Sequence, residues 1–148
     1  MSTSMRQDIM DALKTLLASV SEVKTCDTWK KEPLDILNAD PAVTPAILIR
    51  DKGEQISPST LGSPSRGKWR HELQVEILIL CQGSNCEADV REYLRLLWAQ
   101  LLTDPKLGNK VDQVINISDE MEVVQEAKAY ATVLVRMSFT YDKLAFTF

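Results

Sequence analysis

The sequence is short of the residues on which common enzyme chemistry relies. It has one histidine, His71, among 148 residues, so no second imidazole can complete a paired site. It has five glycines, and they form no phosphate-cradling run. Its three cysteines are an odd number, which argues against a disulfide framework and for a reducing compartment. No apolar run approaches the roughly 20 residues of a membrane span. The N-terminus lacks the order of basic, apolar and small residues that marks a signal peptide. Charge of one sign is also missing. With 17 basic and 21 acidic side chains the net charge is −4, so a strongly basic nucleic-acid binder is not expected.

What remains is an ordinary globular composition, 26% charged and 45% hydrophobic, of one domain's length. A chain of this size buries about 70% of the surface its unfolded form exposes. A single domain over residues 1–148 is expected.

Ser4 and Gln7 have capping-box spacing, and Ile9, Leu13, Leu16, Leu17 and Val20 recur at helical steps. A helix is expected from Met5 to Ser19. Val23 to Trp29 holds scattered β-formers and reads as a short strand. Pro33, Pro41 and Pro45 predict a structured loop over Glu32–Pro45. Ala46–Arg50 is a compact apolar strand. Asp51–Lys68 is rich in Gly, Pro and Ser, and is expected to be a mobile loop or hairpin arm. From Trp69 to Cys81 every second residue is apolar or aromatic except His71. The alternate face begins polar and turns apolar at Leu78 and Leu80, so only the second half should be covered on both sides.

Ser84 and Glu87 suggest a second capping box, followed by the strongest helical stripe: Val90, Tyr93, Leu94, Leu97, Trp98, Leu101 and Leu102. Tyr93 and Trp98 are expected in the core. Pro105 ends this helix, and Asp104–Gly108 is a tight turn. Val111–Ser118 predicts a strand with Val114 and Ile117 turned inward. Asp119–Glu126, with its carboxylates, predicts a solvated connection. Ala127–Tyr141 alternates as a second long strand, paired with the one that starts at Trp69. The sum is an α+β fold: one antiparallel sheet, two main helices packed on one face, and an arm at 51–68.

No catalytic, metal or cofactor-binding set stands out. His71 reads as a hydrogen-bonded strand residue. Cys81 and Cys86 read as small apolar groups, because only Cys26 and His71 could complete a metal site. Glu120, Glu122 and Glu126 read as a charge run. Two surfaces remain as candidate partner or oligomer interfaces. One is the basic flank of the arm, Lys52, Arg66, Lys68 and Arg70. The other is an apolar patch on the second sheet face, Leu78, Leu80, Tyr130 and Leu134.

The whole-chain order resembles the tail-terminator (tail-completion) proteins of tailed bacteriophages. The resemblance rests on the capped first helix and the Leu/Trp-rich stretch Tyr93-Leu94-Arg95-Leu96-Leu97-Trp98-Ala99-Gln100-Leu101-Leu102. It continues through the turn Asp104-Pro105-Lys106-Leu107-Gly108 and the long final strand Ala129–Tyr141. The resemblance implies a structural virion protein without catalysis or cofactor. It implies a ring, usually of six copies, that caps the tail tube, stops its polymerisation and meets a head-completion or neck protein. DNA passes through the ring without sequence-specific binding, and no membrane is involved. Assembly would take place in the host bacterial cytoplasm. Other readings are another neck, minor tail or head-completion protein, a DNA-binding module using Lys52, Arg66 and Lys68, and a small enzyme using His71 with a carboxylate or Cys81.

Overall fold

A computed structural model describes residues 5–20, 23, 25–29, 44–58, 68–124 and 129–144. In chain order the elements are helix α1 (Met5–Leu17), strands β1 (Thr25–Thr28), β2 (Ala46–Pro58) and β3 (Lys68–Gln82), helix α2 (Cys86–Thr103), and strands β4 (Gln113–Val124) and β5 (Tyr130–Leu144). The fold is α+β. Among the described residues the five strands form one sheet in the order β1-β2-β3-β5-β4.

The sheet is not wholly antiparallel, as the alternation alone suggested. β1 runs parallel to β2, with Thr25 opposite Ala46 and Thr28 opposite Ile49. A parallel neighbour needs a crossover of about a dozen residues or more, and the chain between β1 and β2 is long enough to supply one. The remaining three pairings are antiparallel, and β3 and β5 are neighbours as expected.

Both helices lie on one face. α1 buries Ile9, Leu13 and Leu17 at four-residue steps, and Asp8 and Lys14 sit at the ends its dipole favours. α2 buries Val90, Tyr93, Leu97 and Leu101. These stripes close on Leu73, Val75, Ile77, Ile79, Val133, Val135 and Phe139 of the central strands, which make the main core. The stripe of α2 is narrower than its sequence suggested. Leu102 is 77% exposed, and Trp98 only packs partly against the core.

Several local expectations change. α1 ends at Leu17 with a turn behind it. Ser4 lies outside the described residues, and the Gln7 amide donates to Asp11 Oδ1 (2.8 Å). α2 is capped by Asn85 with no side-chain cap bond, so Ser84 and Glu87 form no capping box. β2 continues to Pro58 and pairs antiparallel with β3, so Asp51–Pro58 is the first limb of a hairpin arm, one of the two expected forms, and not a loop. β5 flanks β3 as far as Lys68 opposite Leu144, making this extension three-stranded. Asp119–Val124 belongs to β4, not to a connection. β4 is an edge strand, wet on much of both faces, and such a strand carries no apolar alternation to read. An irregularity between Ile115 and Ser118 leaves Ile117 52% exposed, where burial was expected. The loop expected over Glu32–Pro45 falls outside the described residues except for Thr44 and Pro45, and so do the tip of the arm and Glu126.

The second face of the sheet divides as the β3 sequence indicated. Arg70 and Gln74 are exposed, while Leu78 and Leu80 are buried. Leu78 and Leu80 join Ala46 and Leu48 in a second apolar cluster, with Trp29, Tyr130 and Leu134 packed partly against it. The apolar patch proposed as an interface is therefore buried within the chain at Leu78 and Leu80. Trp29, Tyr130 and Leu134 pack against these side chains and contribute to their cover.

Candidate functional site: charged clusters on the two faces of the sheet

Among the described residues, two clusters link three or more ionisable side chains, one on each face of the sheet. The first depends on a bulge in β2. Asp51 opposes Val75 and Glu54 opposes Leu73, with Lys52 as the extra residue between them. Gly53 makes the bulge possible, because its φ of +127° is one that a side chain would strain. Two carboxylates three residues apart thus point to the same helix-covered face, against the strict alternation of a regular strand.

Arg6 of α1 reaches both. Its Nε donates to Asp51 Oδ2, Nη2 donates to Asp51 Oδ1 (2.6 Å), and Nη1 lies 3.7 Å from Glu54 Oε2. Glu54 Oε1 also accepts from the Tyr141 hydroxyl and faces His71 Nδ1 at 3.0 Å. A carboxylate oxygen has only acceptor capacity when ionised, so Nδ1 is the donor there. His71 and Tyr141 are direct partners on β3 and β5, and their rings stack at 4.8 Å with planes 17° apart. Burial, and then the bond to Glu54, hold the Tyr141 phenol above its usual range, which keeps it a donor. His71 is hydrogen-bonded and 3% exposed, as its strand position suggested, and it presents no open face to a substrate.

Burial works to raise the Asp51 pKa, but the hydrogen bonds from Arg6 and the Gly53 N–H outweigh it and hold the carboxyl below its ordinary 3.8. A depressed carboxylate stabilises the fold fully above its unfolded pKa and loses that contribution as pH falls through the folded value. Urea midpoints measured from about pH 5 down to about pH 2 are expected to fall less steeply for Asp51→Asn than for the unchanged protein.

The second cluster lies on the outer face, where Arg50, Glu76 and Arg136 stand in register across β2, β3 and β5. Arg50 donates to Glu76 Oε1 through Nε (2.7 Å) and stacks 3.8 Å over the Trp29 ring. Arg136 donates to Glu76 Oε2 (3.2 Å) and to Glu120 Oε2 (3.3 Å). Lys52 Nζ lies 3.9 Å from Glu76 Oε1. Beside this row is a depression of about 340 Å³ lined by Lys52, Gln74, Glu76, Ser118, Arg136 and Ser138.

No protein-family model matches the sequence, and no curated protein matches it.

The residues expected at the flank of the arm are dispersed. Lys52 belongs to the Glu76 cluster, and Arg70 pairs with Asp142 at 3.4 Å. Arg66 and the side chain of Lys68 lie outside the described residues. A continuous basic strip is not assembled from Lys52 and Arg70, because each faces a carboxylate. Cys81 and Cys86 are buried, and burial pushes the Cys81 thiol up to about 12. No group of His, Cys, Asp and Glu among the described residues could hold a metal ion. No described helix is long and apolar enough to cross a membrane. Glu54, Arg6 and Asp51 were absent from the sequence reading of His71. An isolated glycine in a strand pattern, Gly53, was the available sign of the bulge that joins them.

Proposed function

We propose that this chain is a structural subunit of a tailed-phage tail terminator, acting through contacts between copies in a closed ring. The reading rests on the element order that resembles that family. The observation that carries it is the dispersal of exposed apolar side chains. Ile56 on the β2–β3 extension is 46% exposed, and Leu102 on α2 and Ile117 on β4 are more so. A ring is built from heterologous contacts, in which one surface of a subunit meets a different surface of the next. Three separate apolar positions on three elements suit that geometry. The buried ionisable groups, by contrast, are turned inward on one another. Glu54 serves Arg6, His71 and Tyr141, and Glu76 serves Arg50 and Arg136. That arrangement favours a scaffold over a reacting centre.

The ring meets the tube protein on one side and a neck protein on the other, and DNA passes through it. A net-acidic chain suits a conduit, because its field repels the DNA backbone. Light scattering and negative-stain imaging of the full chain with tail-tube protein test the reading. A discrete closed oligomer, and tubes that stop growing once it binds, are the expected results. A chain that neither self-associates nor binds the tube overturns it.

A further inference from the structure

We propose that the acidic groove along α1 of one copy docks on the cationic depression beside Glu76 of the next. The inference rests on the ring reading and specifies the contact between its subunits. The depression has more donors than its own chain uses. At 3.9 Å from Glu76, the Lys52 ammonium is beyond hydrogen-bond length. Arg136 spends Nε and Nη1 within the chain, which leaves Nη2. Ser138 is 4% exposed and lines the depression with its hydroxyl-bearing side chain. Such a site calls for a ligand that brings acceptor oxygens on a negative charge.

The same chain carries that ligand on the other side of its sheet. A groove of about 440 Å³ runs between α1 and the turn after α2. Asp8, Asp11 and Asp104 line it against the single cation Lys110, and Leu16 and Leu107 add apolar contact. Groove and depression lie on opposite faces, the first with the helices and the second on the outer face. Joining them pairs unlike surfaces and leaves one of each free at the ends, so the contact propagates until a ring closes it.

Sedimentation velocity of the full chain over a wide concentration range tests the pairing. Lys52→Glu and Asp11→Lys are each expected to weaken self-association about tenfold or more, because each sets like charges face to face. The double variant is expected to recover it, since the exchanged charges oppose again. Both positions are exposed, and thermal melts by circular dichroism confirm folding. If Lys52→Glu melts early beside Glu76, Lys52→Gln is read in its place, with a loss expected in the same direction. A single variant that associates like the unchanged chain overturns the pairing. So does a double variant no stronger than the singles, which points instead to a separate acidic partner. Either result leaves the ring reading intact. A chain that is monomeric at every concentration also overturns the pairing, and capping of the tube then decides the ring reading alone.

Discussion

Replacing Phe139 with alanine is expected to cost about 3–5 kcal/mol, measured as a loss in unfolding free energy by urea titration. Among the described residues Phe139 is the largest fully buried side chain, on strand β5 and opposite Leu73. Truncation removes its transfer free energy and leaves a cavity that two rigid strands cannot close. Domains of this kind have about 5–15 kcal/mol in total, so the variant stands near the limit of folding. Trp98→Ala is the informative comparison. Its place in a leucine stripe pointed to the core, yet it is only partly covered. It is expected to cost less than Phe139→Ala, because part of the ring is already in water in the folded state.

Glu54→Ala should have the second largest effect, a loss of about 3 kcal/mol. Its carboxylate oxygen Oε1 is the shared acceptor for Tyr141 and His71, and Oε2 lies 3.7 Å from Arg6 Nη1. Without it, two buried donors lose their partner where little water reaches them. Glu54→Gln keeps an acceptor oxygen and is expected to lose less. Tyr141→Phe placed on top of Glu54→Ala should recover part of the loss, because it removes one of the stranded donors. A double-mutant cycle on urea midpoints measures that recovery. Equal losses for Glu54→Ala and Glu54→Gln, with no coupling to Tyr141, would show that the carboxylate does not organise this cluster.

The fold was legible wherever one face of an element was dry. The period-two pattern from Trp69 to Cys81 and from Ala129 to Tyr141 placed both central strands and their pairing. The three- and four-residue steps of Ile9, Leu13 and Leu17 placed α1. Legibility failed where burial did not impose a pattern. β4 presents charge on both faces at the edge of the sheet, so Glu120 and Glu122 looked like a connection. The parallel pairing of β1 leaves no local mark, since side-chain alternation over four residues is the same for either strand direction. The clusters were the least legible part. Glu54 and His71 are 17 positions apart, and Arg6 and Asp51 are 45 apart. Nothing in their spacing joins them until the strands are aligned and the bulge is counted.

That bulge also makes one-residue changes in length unequal along β2. Lys52 is the supernumerary residue, so its loss would straighten the strand and leave Asp51 and Glu54 facing the helices as before. Loss of Gln55 would instead reverse the sidedness of every position beyond it, sending Ile56 to the opposite face. Shortening of this strand can therefore be absorbed at position 52, while the stretch that follows has a fixed parity.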